Sequence, residues 1–323
     1  MRKPILTIKS LSLLFIAISL SNSLAQDSNF LLPIKEIERR FQFEDLDIFK
    51  FKDARFRNDI VKRLILRWSD GSYTQAKWKR APSGGHITNN APRYEIAAYQ
   101  FQKLFLDENE YVVPPTIMRC FPLKKYRELE RSIVQIKPTF GNTQCVCIVL
   151  QYWLQNVGND NIYDKKRFEN DATYARHLAN MNIFSYLIRH NDSNIGNFLI
   201  SRDPNNPRVF AVDNGMAFDS RESERGHEWR DIRVKRLPRK TLERVRNIQL
   251  ETLHKILGVV AQYEIQDGQL KFVESTENIN PKKGVRISEN VIQLGLTKRE
   301  IDGIFKRRQQ LIKKIDAGKI KIF

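Results

Sequence analysis

The sequence has few cysteines and no arrangement of them that would bind zinc. Only 3 of its 323 residues are cysteine, Cys120, Cys145 and Cys147, and a low, odd number argues against a disulfide scaffold. No second Cys or His pair stands at zinc-ligand spacing, which argues against a structural metal centre. Cys145 and Cys147 alternate within an apolar run, so we interpret them as buried strand residues. One bridge from Cys120 remains open.

Long apolar runs are also lacking. Leu11–Leu20 is about half the roughly 20 residues that a membrane span needs, and no later stretch is longer and as apolar. Basic residues precede this run and small residues follow it up to Ala25, which is typical of a secretory signal peptide; a membrane anchor is the alternative. We therefore predict a signal peptide over 1–25, export to periplasm, medium or secretory-pathway lumen, and no transmembrane span in the mature chain.

Acidic residues are outnumbered, 37 against 55 basic ones, and the formal net charge is +18. With 41% apolar and 28% charged residues, the composition excludes a disordered chain. The basic surface favours an acidic or anionic partner. Charge alone also allows a nucleic-acid binder, but we find no helix–turn–helix signature or aromatic-basic ribbon, so no nucleic acid is expected.

The remaining patterns predict an α+β chain with a boundary near residue 153. We expect an N-terminal extension over 26–60, a sheet-rich lobe over 61–153 and a helix-rich lobe with a basic helical C-terminus over 154–323. Alternation and turn signals predict the following elements: strands over 62–68, 73–79, 132–136 and 146–152, a helix over 94–106, a long helix over 167–188, and mostly helix over 228–323.

Three polar residues in the second lobe have the spacing that phosphoryl transfer needs. Asp192 and Asn197 lie in a polar loop between the long helix and a short apolar run, and Asp213 ends the next apolar run beside Asn214 and Gly215. Such chemistry needs a carboxylate to accept or orient the proton of the nucleophile and oxygen ligands for a divalent cation. We assign the first role to Asp192 and the second to Asn197 and Asp213. The alternative is that these residues are ordinary turn formers.

A cation for the phosphates is expected in the sheet-rich lobe. Lys77 and Lys79 share one face of the predicted strand 73–79, and Glu95 lies in the first turn of the following helix, where the helix dipole also favours a carboxylate. A solvated strand face and simple dipole compensation are the alternatives. The order along the chain, from lysine through glutamate to the loop residues, favours a single site.

Two segments resemble known kinase families. Residues 93–99 and 112–115 resemble the glutamate-bearing helix of the Golgi casein kinase family of secretory-pathway kinases. Residues 187–200 and 210–218 resemble the type II phosphatidylinositol 4-kinases, whose segments read I-R-N-T-D-x4-N-W-L-I and I-D-N-G-x-A-F. Both families belong to one atypical kinase-like superfamily, and the similarity covers roughly 61–237.

The resemblance implies a two-lobed, protein-kinase-like fold. Together with the predicted signal peptide it leads us to expect an exported phosphotransferase that uses ATP with Mg or Mn on a hydroxyl of a protein, lipid or glycan, and the class of acceptor is inherited from neither family. The resemblance assigns each site residue a role: Lys79 on the phosphates with Lys77 as the fallback, Glu95 as its partner, Asp192 as the catalytic carboxylate, Asn197 and Asp213 as metal ligands, and Gln151 and Tyr152 in the linker that meets adenine. The sequence has no G-x-G-x-x-G, and residues 69–72 are the minimal substitute. A pseudokinase that binds nucleotide or a partner without turnover is therefore the alternative.

Overall fold

A computed structural model describes residues 27–53, 61–88, 90–130, 136–160 and 162–323. The predicted signal peptide and residues 132–135 of one predicted strand lie outside these ranges. Among the helices in the described ranges, none combines the length and apolarity that a membrane crossing requires.

The N-terminal lobe is built on a five-stranded antiparallel sheet. Its strands, in the spatial order β1-β2-β3-β5-β4, are β1 (Asp47–Asp53), β2 (Val61–Arg67), β3 (Tyr73–Arg80), β4 (Thr116–Pro122) and β5 (Cys145–Tyr152). β1 pairs with β2 from Asp47 to Asp53, so the sheet already begins within the range expected for the N-terminal extension. The sequence of β1 alternates apolar and charged residues, a strand signal that our interpretation of 26–60 did not use.

Alternation along the strands gives the sheet two different faces. Leu64, Leu66 and Trp78 are buried on one face, which is covered by α1 (Ile34–Phe43) and α3 (Leu123–Leu129). The opposite face carries the lysines of β3 and meets α2 (Pro92–Gln102). The charged side of the sheet is therefore directed at the second lobe.

The second lobe is centred on α5 (Ala172–Ile188), of which 14 residues are buried. The predicted helix 167–188 is divided into α4 (Lys165–Asn170) and α5, because Asp171 is extended and its carboxylate caps α5 by accepting from the Tyr174 N–H at 2.9 Å. The other elements of this lobe are β6 (Val157–Gly158), β7 (Phe198–Ser201), β8 (Val209–Ala211), β9 (Arg236–Leu237), α6 (Arg239–Asn247) and α7 (Leu250–Leu257).

The prediction of mostly helix over 228–323 was wrong for residues 261–294. Four antiparallel strands follow α7, in the order β11-β10-β13-β12, before α8 (Lys298–Asp316) and the short β14 (Lys321–Ile322). The strands are β10 (Ala261–Gln266), β11 (Gln269–Val273), β12 (Val285–Ser288) and β13 (Val291–Leu294). Asp267 and Gly268 both have positive φ, 51° and 74°. An Asp-Gly pair is a hairpin signal, and our interpretation of 228–323 did not use it.

This C-terminal sheet packs against the first lobe. Tyr263 of β10 is buried and donates its hydroxyl to the Met118 carbonyl of β4 at 2.7 Å. Nearby, a disulfide joins Cys120 to Cys145, which was the option left open, and Cys147 is a buried free thiol. The α+β prediction, with a sheet-rich N-terminal lobe, is confirmed, whereas the return of the C-terminal sheet onto that lobe was not foreseen.

Candidate functional site

The lysines of β3 lie on the face of the sheet that is turned toward the second lobe. Lys77 and Lys79 are two residues apart in a strand, so their side chains leave the same face. Lys79 Nζ lies 3.2 Å from Glu95 Oε1 and 2.9 Å from Asp213 Oδ1. Lys77 Nζ reaches the same Asp213 oxygen at 3.3 Å. Both candidate lysines therefore contact Asp213, and only Lys79 also contacts Glu95.

Helix α2 places Glu95 beside Lys79. Pro92 begins the helix, where a missing N–H costs nothing, and Glu95 follows within the first turn. Its side chain is buried, and while Oε1 faces Lys79, Oε2 accepts from the Asn214 backbone N–H at 3.0 Å. Glu95 thus fixes both the lysine and the loop that carries Asp213. The bond to Asn214 was not anticipated from the sequence.

Asp213 follows β8 with a left-handed backbone, φ 57°. The charges of Lys77 and Lys79 hold the pKa of its carboxyl well below the ordinary range. Burial alone would lower the pKa of Lys79, but the charges of Asp213 and Glu95 outweigh it and raise that pKa. Lys79 and Asp213 are therefore both charged at neutral pH.

The glycine two residues after Asp213, Gly215, lies against the Lys79–Glu95 ion pair. A Cβ at this position would lie 3.2 Å from Lys79 Nζ and 3.3 Å from Glu95 Oε1, closer than side chains normally pack. The loop can approach the ion pair because this residue has no side chain.

The loop after α5 holds Asp192 and Asn197 together. The Asn197 side-chain amide donates from Nδ2 to Asp192 Oδ2 at 2.8 Å and to the Asp192 carbonyl at 2.7 Å. Asn194 donates to the other carboxylate oxygen, Oδ1, at 2.8 Å. The Val212 N–H donates to the Asn197 carbonyl at 2.9 Å, so this loop is tied to the residue that precedes Asp213. The sequence-predicted Asp192, Asn197 and Asp213 therefore lie in neighbouring, hydrogen-bonded loops.

His190 lies fully buried in the same loop, and its ring packs edge-on against Phe198 at 5.8 Å. Burial lowers its pKa to about 4, against the raising effect of the Asp192 charge. The imidazole is therefore neutral at pH 7 and forms part of the loop's packing.

A cavity of about 620 Å³ lies between the two lobes in front of these groups. Of the predicted site residues, Lys77, Gln151, Tyr152, Asn197 and Asp213 line it, whereas Lys79, Glu95 and Asp192 are not among its wall residues. Further wall residues were missed by the sequence reasoning, and the alternation of β2 and β3 could have indicated three of them, Val61, Arg63 and Gln75.

Gln151 and Tyr152 reach the cavity wall but have other contacts. The Gln151 side chain donates to the Thr116 hydroxyl at 3.0 Å. The Tyr152 hydroxyl accepts from the Leu31 N–H at 3.0 Å, and its ring stacks on Phe30 at 5.4 Å. Gln151 pairs with Lys77 and shares its face of the sheet, whereas Tyr152 lies on the opposite face. Both side chains are already engaged by other groups of the protein.

The expectation for residues 69–72 was wrong. Lys79 pairs with Val61 and Tyr73 with Arg67, so the β2–β3 turn stands at the far end of β3, about 20 Å from Lys79 at 3.3 Å per residue. Arg40 of α1 holds this turn by contacts to Asp70 and Ser72, each at 2.8 Å. The connection that leaves and re-enters the sheet beside Lys79 is the one between β1 and β2, residues 54–60, which lies outside the described ranges and contains no glycine.

Comparison with known proteins gives a match only at the level of the fold. No protein-family model matches the chain, and no curated protein matches it. Among solved structures, hydra Fam20 with sugar aligns over 88% of each chain at 14% identity with a TM-score of 0.50. The chain therefore has the kinase-like fold of Fam20.

Two structures of the Golgi casein kinase also align, each over 87% of this chain and 75% of theirs at 12% identity. Their TM-scores are 0.48 and, for the form with Mn/ADP bound, 0.49.

Proposed function

We propose that the protein is an exported phosphotransferase that moves the terminal phosphoryl group of ATP to a hydroxyl of a protein, lipid or glycan. The observation that carries this proposal is Lys79, which is buried between Glu95 and Asp213 behind an interlobe cavity of about 620 Å³. A buried lysine that is paired with one carboxylate and lies beside a second carboxylate able to hold a divalent cation is an arrangement that positions a phosphate chain. The kinase-like fold supports it at the level of architecture.

The proposed roles follow from the contacts of each group. Lys79 would contact the phosphates, and Glu95 would hold it in place through the 3.2 Å ion pair. Asp192 would accept the proton of the acceptor hydroxyl as that oxygen forms its bond to the γ-phosphorus, while the bond to the β–γ bridging oxygen breaks and the nucleoside diphosphate leaves. The amides of Asn194 and Asn197 on both carboxylate oxygens of Asp192 would orient this base.

A divalent cation fits the donor set of Asn197 and Asp213. Nδ2 of Asn197 is engaged by Asp192, so Oδ1 is the atom of that amide left to coordinate, and Asp213 offers a carboxylate that is ionised at neutral pH. In the described part of the chain no group of three or more His, Cys, Asp or Glu residues could hold a metal by itself. Mg²⁺ or Mn²⁺ held by one carboxylate and one amide oxygen needs phosphate oxygens to complete its shell. When bound, the cation supplies charge neutralisation on the phosphates.

The acceptor side is proposed from charge. With a net charge of +18, the protein favours an acidic or anionic acceptor, and we do not propose nucleic acid as a partner. The pattern of residues 1–25 supports export, to the periplasm, the medium or the secretory-pathway lumen.

A second candidate is a module of the same fold that binds a nucleotide or partner without turnover. The observation that favours it is the double engagement of Asp213 by Lys77 and Lys79, at 3.3 and 2.9 Å through one oxygen. A metal at Asp213 has to compete with two ammonium groups. If it cannot, the nucleotide binds without the ion that transfer requires.

Metal-dependent nucleotide binding and turnover separate the two candidates. We expect the wild type to bind ATP with Mg²⁺ or Mn²⁺ and to release ADP in the presence of acceptors, Asp192→Ala to bind without turnover, and Asp213→Ala to lose the metal dependence. Binding without turnover across protein, lipid and glycan acceptors would favour the second candidate. Absence of binding at millimolar ATP with either metal would reject both nucleotide-binding candidates.

A further inference from the structure

The linker between the lobes has most of its backbone donors already bonded within the protein. Three N–H groups of segment 152–155 donate to carbonyl oxygens from other parts of the chain: Tyr152 to Pro115 at 2.9 Å, Trp153 to Gln75 at 3.0 Å and Gln155 to Asn29 at 3.1 Å. A base can be read along its edge only by polar groups that are free to bond to it. These three donors would first have to break an internal hydrogen bond.

The acceptors of the linker are engaged in the same way. The Gln155 side-chain amide donates to the Trp153 carbonyl at 2.7 Å. The buried Asn29 donates from Nδ2 to the carbonyls of Gln155 and Asn156, at 3.0 and 3.4 Å. Asn29 of the N-terminal segment therefore engages two of these carbonyls from outside. The edge of a base has to compete with internal hydrogen bonds for most of the polar groups of the linker.

The cavity instead offers apolar surfaces to the faces of a ring. Apolar side chains from both lobes line it: Val61, Leu154, Val157, Leu199 and Val212. Apolar contact is non-directional and scales with buried area. Such walls stabilise any flat base of suitable size, whatever groups its edge carries.

Charge is the second attraction in the cavity. Arg63, Lys77 and Arg202 line its walls, and Asp213 is the one carboxylate among the described lining residues. Arg63 is held at the wall by Nη2, which donates to Gln75 Oε1 at 2.7 Å, and by its guanidinium 4.8 Å above the Trp153 ring. The excess of cations attracts phosphates independently of the base.

We propose that the donor pocket does not select among purine bases: it binds purine nucleoside triphosphates by stacking and by phosphate charge, so that GTP serves as well as ATP. This inference rests on the proposed function, because it concerns the donor of that same reaction. The two are tested separately, because this inference predicts the ratio of the affinities for ATP and GTP and the proposed function does not.

Calorimetric titration of the purified protein with ATP, GTP and inorganic tripolyphosphate, each with Mg²⁺, tests the inference. We expect ATP and GTP to bind within about threefold of each other, less than one hydrogen bond is worth, and tripolyphosphate to bind more weakly because it cannot stack. ATP binding more than about tenfold tighter than GTP would overturn the inference while leaving the proposed function standing. No binding of any of the three would reject both.

Arg63→Gln provides a variant test with a matched control. Arg67 lies four residues along the same strand and on the same face, but it pairs with Asp47 and is not a wall residue of this cavity. We expect Arg63→Gln to weaken ATP, GTP and tripolyphosphate by one common factor of about three to ten, and Arg67→Gln to change none of them. A loss confined to one nucleotide, or equal losses in both variants, would contradict the inference.

Discussion

Helix α2 carries two buried ion pairs of different design. Lys79 and Glu95 are 8% and 2% exposed, and Arg93 and Glu300 are 7% and 4% exposed, so burial does not distinguish the pairs. Arg93 makes two bonds to Glu300, at 2.6 and 2.7 Å, and Glu300 also caps α8. Lys79 makes one contact of 3.2 Å to Glu95 and shares its charge with Asp213.

The difference separates a structural contact from a candidate functional one. A guanidinium fork on a carboxylate satisfies both groups and fixes their geometry, so the Arg93–Glu300 pair attaches α2 to the C-terminal helix. A lysine among two carboxylates is a point charge that can exchange partners. The first pair thereby keeps Glu95 in place, and the second remains able to accept a phosphate.

The largest expected effect is on stability, from breaking the structural pair. Glu300→Ala leaves the Arg93 charge buried without its carboxylate partner and removes one of the two hydrogen bonds of the capping box of α8. We therefore expect a loss of about 3–5 kcal/mol in the free energy of unfolding. Urea denaturation measures it. Glu36→Ala breaks an exposed pair with Arg39 and a second pair with the buried Arg40, which keeps Asp70 as a partner. This variant should cost no more than about 1 kcal/mol. Similar losses of unfolding free energy in the two variants would contradict a structural role for the Arg93–Glu300 pair.

Replacing the lysine of the other pair should affect activity instead. Lys79→Arg keeps the charge but adds a planar fork where a compact ammonium contacts two carboxylates, and we expect phosphoryl transfer to fall by about 100-fold. The matched control is Lys62→Arg, a buried lysine of the neighbouring strand that pairs with Glu130 on the opposite face. Transfer rates and urea denaturation would be measured for both. Activity of Lys79→Arg within about fivefold of wild type would contradict the assigned role.

Local sequence patterns predicted on which strand face, helix turn or loop most residues of the candidate site lie, because short-range rules decide these placements. Alternation puts Lys77 and Lys79 on one face, and a helix start places Glu95 in the first turn. The turn after a buried strand exposes Asp213. The distances between these groups depend on the packing of the lobes, which no local pattern contains, and their catalytic roles remain predictions.

The parts that could not be predicted depend on long-range contacts. Strands β10 to β13 are short and polar on their outer sides, and they become a sheet by pairing with one another and packing on β4 around Tyr263. The error over residues 69–72 has the same origin, since only the strand register shows which end of the sheet meets Asp213. The Arg93–Glu300 contact joins residues 207 positions apart.

Each ion pair has a glycine beside it, so a Gly→Ala substitution can test the two pairs separately. Gly215→Ala would bring a Cβ to 3.2 Å from Lys79 Nζ, and we expect transfer to fall by about tenfold with a stability loss of about 1 kcal/mol. Gly284→Ala would bring a Cβ to 2.4 Å from the Arg93 guanidinium, and we expect a stability loss of about 2–3 kcal/mol with the activity of the folded fraction preserved. Thermal melts beside transfer rates test both, and the reverse pattern would exchange the roles of the two pairs.

The smallest expected effect is a pH dependence of the free energy of unfolding, and it arises from a buried histidine and from neither ion pair. Burial lowers the folded-state pKa of His190 to about 4, below the unfolded value of about 6.5. Between these values the unfolded chain binds the proton and the folded chain does not, so stability falls as pH decreases through this window, by about 1.4 kcal/mol per pH unit for each such histidine.

His177 is buried and has its pKa lowered to about 3, so it contributes in the same direction, whereas the pKa of Asp213 lies below the window. We expect His190→Gln to reduce the slope of unfolding free energy between pH 5 and 6 by about 1.4 kcal/mol per unit, with His177→Gln as the matched variant remote from the loop of Asp192. Urea denaturation across this range gives the slopes. An unchanged slope in His190→Gln would mean that the imidazole beside Asp192 is already protonated in the folded protein, and the site would then carry one more positive charge than the ion pairs around Lys79 account for.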